Sequence, residues 1–305
     1  MGGSVLLFEK YFPYMQGGDK MQQLGKIFQK FRKARGLSLK EISKAGLSTS
    51  QLSRFEHGES DMTITKFMQA LDEINLSITE FMYVAHEFQL DELSELLNRV
   101  NEYVRVNDVV ALKRLLISLL EDENKQTKFW KLNIILVKSK LQKITGKSYC
   151  SNQEVTQLTE YLFEMEYWGH YELLLFMNTL DILNHQSFML LSREMVRRSD
   201  FYKSIPENRY LISMMLLQGY LACIEQDELT DALYFEQRLK DCFFTEVEIY
   251  ERLIFYFGKN LYQYKKTENY KSLIEVHKCL GVMRLVSSDH LATFYEQYLK
   301  NITLK

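Results

Sequence analysis

Between positions 37 and 58 the chain reads LSLKEISKAGLSTSQLSRFEHG, a stretch that leaves the backbone little freedom. Ser38 stands three residues before Glu41, and Ser48 three before Gln51. In each pair the hydroxyl can accept from an early helical N–H while the longer side chain returns to the serine amide. Both pairs therefore mark helix starts. Gly46 falls between them, where a sharp turn needs a residue that tolerates positive φ. Leu39, Ile42, Ala45, Leu47 and Leu52 are spaced to make a small shared core, with Ser43 where the helices approach closely. Glu56-x-Gly58 closes the second helix, and Thr49, Ser50, Ser53 and Arg54 are left facing outward. Two short helices joined this way make a helix-turn-helix, whose second helix meets base edges with its N-terminal residues.

The local charge agrees. Residues 21–60 carry Lys26, Lys30, Arg32, Lys33, Arg35, Lys40, Lys44 and Arg54 against Glu41, Glu56 and Glu59, while the whole chain carries a net charge of only −2. A basic segment inside an acidic protein suits contact with phosphates. An ordinary helical hairpin, the plain alternative, would require none of this agreement between caps, turn, core spacing and charge.

The 305 residues suffice for two domains and a sizeable core. With only two prolines and few alternating β-branched runs, the protein is expected to be all-α. The longest apolar stretch, 211–224, contains Gln218 and is too short to span a bilayer, so no membrane association is expected. Cys150, Cys223, Cys242 and Cys279 follow no metal-ligand spacing; they suit a reduced cytoplasm and read as small buried hydrophobes.

Three segments follow. Residues 1–20, broken by Gly2, Gly3, Pro13, Gly17 and Gly18, read as a disordered or non-native extension, with Met21 as the expected true start. Residues 21–86 form the helix-turn-helix domain of five helices. Leu24, Ile27, Phe28 and Phe31 face inward on the first; Ile64, Phe67, Met68 and Leu71 on the fourth; Phe81, Met82 and Val84 on the fifth, which opens at the capping pair Ser77 and Glu80. A linker is expected over 85–90. Residues 87–305 are helix after helix, near 91–105, 107–121, 127–145, 151–166, 170–183, 186–199, 206–225, 228–243, 246–264, 268–282 and 288–301. Ser151 with Glu154 caps one of these and Pro206 opens another. The helices pair at a period of about 35 to 40 residues, near that of tetratricopeptide arrays, although that repeat's consensus is absent. Stacked pairs make a solenoid with a concave face suited to extended ligands; a plain dimerising bundle is the alternative.

Leu24-Gly25-Lys26, Ser38-Leu39-Lys40-Glu41-Ile42-Ser43 and Ser50-Gln51-Leu52-Ser53-Arg54-Phe55-Glu56, followed by a helical array of this length, resemble the Rgg/MutR family of bacterial regulators. The motif half is specific for the Cro-like helix-turn-helix group; the array matches by architecture more than by residues. The resemblance implies a Cro-like DNA-binding domain followed by tetratricopeptide-like repeats. It also implies a homodimeric cytoplasmic transcription regulator, joined mainly through its C-terminal repeats and controlled by a short imported peptide on their concave surface. A start at Met21 matches the usual family start.

By that resemblance Thr49, Ser50 and Arg54 fall at base-contacting positions, with Arg54 able to grip guanine bidentately. Ser48 and Lys40 are expected on phosphates, as Arg54 would be in the alternative. Ser53 completes the DNA-facing set, and an ion pair from Arg54 to Glu59 is a further possibility. The partner is double-stranded DNA carrying an imperfect palindrome with half-sites about one turn apart. If alternate repeat helices line the concave face, Trp130, Asn133, Asn178, Gln218 and Asn260 lie on them, and amides suit a peptide backbone that both donates and accepts. Asn178 interrupts an apolar run and needs a partner.

No catalytic residue, cofactor or metal is expected. Gly146-Lys147-Ser148 lacks the earlier glycine of a phosphate-binding loop, since Leu141 stands there. The six histidines form no HxxxH or HExxH pair; His86 with Glu87 and His185 with Asp181 are neighbours by chance. Two other readings stand beside the peptide-controlled regulator. One is a regulator whose repeats only dimerise or hold another protein; the other is an enzyme governed by its own DNA-binding domain.

Overall fold

The computed structural model describes residues 20–43, 46–85, 92–121, 127–200, 204–242 and 246–303. The expected extension, apart from Lys20, and the linker beyond Ala85 lie outside these, as do Lys44 and Ala45. Among the described residues there are helices and no strand. The chain divides into two compact units, Met1–Arg99 and Val100–Lys305.

The first unit contains α1 (Lys20–Ala34), α2 (Leu39–Ile42), α3 (Thr49–His57), α4 (Ile64–Glu73) and α5 (Ile78–Ala85), followed by α6 (Glu92–Arg105), within which the division falls. The expected caps form. Ser38 and Glu41 bond reciprocally, Ser77 and Glu80 likewise, and Gly58 closes α3 at φ 73°. The Ser48 box is only half made: Ser48 Oγ accepts from the Gln51 backbone amide at 3.1 Å, but Gln51 Oε1 accepts instead from Lys66 Nζ at 2.9 Å. Ile27, Phe28, Ile42, Leu47, Leu52 and Leu71 are buried in one core, with Leu24, Phe31, Leu39 and Phe67 packed against it. Gly25 allows α1 to meet α3; a Cβ there would lie 1.8 Å from the Phe55 carbonyl oxygen. Three inward assignments are corrected. Ile64 is 78% exposed, and Met68 and Met82 are 38% exposed. Ile64 is the first residue of α4 and stands at the end of its stripe. Met68 and Met82 directly follow Phe67 and Phe81, which the core does take, and the stripe of a 10-residue or 8-residue helix is too narrow to bury both neighbours.

The second unit runs α7 (Val109–Leu120), α8 (Lys128–Thr145), α9 (Asn152–Glu164), α10 (His170–Thr179) with a 3₁₀ turn over Leu180–Ile182, and α11 (His185–Arg198). It ends with α12 (Pro206–Glu225), α13 (Leu229–Lys240), α14 (Ile249–Thr267), α15 (Tyr270–Leu285) and α16 (Asp289–Thr303). Consecutive helices pair, as α12 with α13 and α14 with α15, and the pairs stack through α8 on α10, α10 on α12 and α12 on α14. The repeat appears as a constant offset in the bonds between successive layers. Tyr171 Oη donates to Asn133 Oδ1 at 3.2 Å, and His170 meets Asn208 at 3.1 Å. Lys143 meets Asp181 at 3.3 Å, and Lys265 meets Asp227 at 3.2 Å. Each pair is 38 residues apart, within the period read from the sequence. Three turns repeat as well. Asn107, Asp227 and Ser287 take positive φ after α6, α12 and α15, and the next amide in each returns 2.8 Å to Tyr103, Cys223 or Met283.

Candidate functional site

In the first unit α3 has two unlike faces. Leu52, Phe55 and Glu56 are buried, whereas Thr49, Ser50, Arg54 and His57 are exposed and Ser53 is half-buried. The helix is held by its one buried charge. Glu56 accepts from Arg32 Nε at 2.6 Å and Nη2 at 2.7 Å and from Gln29 Nε2 at 3.0 Å, while Arg32 Nη1 donates to the Leu37 carbonyl at 2.5 Å. One cluster thus joins α1, the turn before α2 and the end of α3. Gly46, at φ 88°, makes the turn between α2 and α3.

The six DNA-facing residues named from the sequence lie together on α3, its cap and α2. Ser48 caps α3 and lies 3.1 Å from Ser50 Oγ. Lys40 is exposed on α2. Arg54 is exposed, and among the described residues it makes no ion pair, so the possible bridge to Glu59 is not formed. Arg32 and Glu56 carry no mark of a pair in the motif itself, and sequence reading missed them. The available signal was spacing: Arg32 follows Phe28 by four and Glu56 follows Leu52 by four, so both charges fall on apolar stripes.

In the second unit the five amide and indole residues lie on the stacked helices α8, α10, α12 and α14. Trp130 is partly buried, and its indole N–H is itself buried with no hydrogen-bond partner among the described residues. Asn133 accepts from Tyr171 as above, and Gln218 is exposed. Asn178 is buried and Asn260 half-buried; each gives its amide N–H to the carbonyl four residues back, Leu174 and Tyr256, at 2.8 Å. The partner that Asn178 needed is therefore its own helix.

The decoys resolve differently. Gly146 ends α8 at φ 68°, as a helix terminator. His185 bonds Asp231 at 2.9 Å, whereas Asp181 is held by Lys143. Glu228 joins His185 and Asp231 to bring three ligand-type atoms within 4.8 Å of one another. They sit at the N-terminal ends of α11 and α13, where helix dipoles favour anions over cations, and Arg193 lies 3.9 Å from Asp231.

A basic, capped bihelical unit ahead of a stacked helical array defines a helix-turn-helix transcription regulator, not an enzyme. Residues 28–81 match the model described as Helix-turn-helix, and residues 116–297 match that of HTH-type transcriptional regulator Rgg, C-terminal domain. The chain belongs to the Rgg family. It is similar to the crystal structure of the Streptococcus dysgalactiae SHP pheromone receptor Rgg2, at 26% identity and TM-score 0.78, covering 92% of this chain and 100% of that one. Two more distant structures share the fold. A putative transcriptional regulator from Listeria monocytogenes EGD-e has 19% identity and TM-score 0.80, covering 92% of this chain and 97% of that one. The PrgX/cCF10 complex has 12% identity and TM-score 0.72, covering 93% of each chain. Among the described residues no helix is long and apolar enough to cross a membrane.

Proposed function

We propose that this Rgg-family regulator is a cytoplasmic homodimer that reads an imperfect palindromic operator and is controlled by a short peptide bound on its repeat array. Residues 21–86 would be the DNA-binding part and 87–305 the dimerising and sensing part. The observation that carries the reading is the two-faced α3. Its inner face is locked by Arg32 and Glu56, while Thr49, Ser50 and Arg54 are exposed beside the cap Ser48 and the exposed Lys40. Arg54 reads a base; Lys40 and Ser48 hold phosphates and set register.

An exposed apolar stripe on α15 supports the dimer. Tyr270, Ile274 and Leu285 lie on it at 74%, 57% and 84% exposure, and Gly281 shares that face with nothing within 4 Å of an added Cβ. A helix-interior glycine costs about 1 kcal/mol relative to alanine, and nothing among the described residues needs it there. A second copy approaching closely at Gly281 supplies the reason. The peptide reading draws support from the unpartnered Trp130 N–H and the exposed Gln218, and from the similar structures, one a pheromone receptor and one the PrgX/cCF10 complex. The peptide acts through differential affinity for two dimer arrangements.

The test is a titration of the purified protein with a labelled fragment from beside its own gene, repeated with synthetic peptides encoded nearby. Competitor-resistant binding that one peptide alters supports the whole reading. Specific binding indifferent to every peptide leaves the repeats to dimerisation or protein contact, the second reading. Absence of specific binding overturns the assignment of Arg54.

A further inference from the structure

Lys140 is the unexplained charge of the array. It lies on α8 seven residues beyond Asn133 and ten beyond Trp130. At 100° per residue all three fall within about 80° of arc, on one face of the helix. The Lys140 ammonium is partly buried, yet it makes no hydrogen bond and no ion pair within 4 Å among the described residues. Asp181, the carboxylate that acts on it, is already held by Lys143 at 3.3 Å. Two ammonium groups therefore share one carboxylate. Burial lowers the Lys140 pKa to about 8, with the Lys143 charge acting in the same direction and Asp181 against it. A desolvated cation left in this condition is short of one anion.

We propose that Lys140 receives a carboxylate of the bound peptide. The proposal rests on the peptide reading above and adds a chemical requirement to it. From Trp130 to Lys140 the helix rises about 15 Å, which an extended chain covers in between about four and five residues. A peptide whose backbone meets this face at Trp130 thus carries its anion that many residues away. The anion is either the peptide's C-terminus or an acidic side chain; at Lys140 the two present the same group.

The test measures acetylation of Lys140 by an N-hydroxysuccinimide ester, read by peptide mass spectrometry on the full chain with Lys143 as internal reference. Three probes are added at millimolar concentration: N-acetyl-dileucine with a free carboxylate, its C-terminal amide, and N-acetyl-Asp-Leu-amide. A carboxylate against the ammonium raises its pKa, and each unit leaves about tenfold less free amine. Acetylation is expected to slow by about tenfold with a carboxylate probe and not with the neutral amide. Protection by dileucine alone assigns a C-terminus; protection by the Asp peptide alone assigns a side chain. Equal rates with all three, or equal protection by the neutral amide, overturn the proposal. Lys140→Arg keeps binding of the effective probe and Lys140→Met loses it; binding retained by Lys140→Met also overturns it. A failure here with a peptide effect intact in the DNA titration removes only Lys140, whereas a failure there with protection intact removes the peptide reading.

Discussion

Arg32 and Glu56 meet in a forked ion pair, 2.6 and 2.7 Å long, between α1 and the end of α3, with both side chains buried. The pair fixes the angle at which Thr49–His57 is presented, because Arg32 also holds the Leu37 carbonyl. Removing one partner leaves the other charge buried and unpaired, at a cost of about 3–5 kcal/mol. Glu56→Ala and Arg32→Ala should each lower the urea midpoint of the N-terminal unit by a matching amount. Arg32→Met with Glu56→Leu should recover most of the loss, since an apolar pair of similar volume is often neutral or better. Equal loss in the single and double variants would contradict the account.

Gly25 and Gly281 are both helical, and the same substitution should act oppositely at the two. At Gly25 an added methyl meets the Phe55 carbonyl at 1.8 Å, so α1 and α3 must separate. Gly25→Ala should destabilise by about 1–3 kcal/mol or more. At Gly281 nothing lies within 4 Å, so Gly281→Ala should gain up to about 1 kcal/mol in the isolated chain. If α15 forms the dimer contact, that gain comes with weaker association, read by sedimentation equilibrium. Unchanged association would remove Gly281 from the interface.

The helical array could be read from the sequence because amphipathic periodicity and caps are local signals. α12, for example, keeps the bounds 206–225 expected from Pro206 onward. Pairings between elements were not legible. Arg32 finds Glu56 24 residues away, and Lys66 takes the Gln51 Oε1 that the cap would have used. Tertiary contacts decide such competitions, and no spacing rule records them. Met68 and Met82 show the other limit: an apolar residue at helical spacing identifies a stripe but not its width, and Ile64, the first residue of α4, shows that it does not identify the stripe's end. On the repeats, sequence reading selected amides for their chemistry. It passed over Lys140, whose interest lies in having no partner.

Arg54 and Lys40 should differ in kind, not only in degree. Arg54 stands free on the exposed face of α3. If it grips a guanine edge, Arg54→Ala should cost about 1–3 kcal/mol of discrimination at one operator position while leaving nonspecific affinity largely intact. Lys40→Ala should weaken binding to all sequences alike and reduce the salt slope by about one. Competition assays with single-base operator variants at two salt concentrations separate the two. Retained sequence preference in Arg54→Ala would reduce that residue to a phosphate contact.

Lys140 gives a prediction that needs no ligand. Burial lowers its pKa in the folded protein from 10.5 to about 8, so folding disfavours the charged form. Below pH 8 both folded and unfolded chains carry the proton, and the folded state bears the full cost. Between pH 8 and 10.5 the unfolded chain binds more protons than the folded one, so stability attributable to this group rises with pH. Lys140→Met should therefore raise the unfolding free energy most below pH 8, by about 2 kcal/mol after allowance for partial exposure, with a matching rise in the thermal midpoint. The advantage should shrink as pH climbs towards 10. A gain independent of pH would mean that packing, not the unpaired ammonium, separates the two proteins.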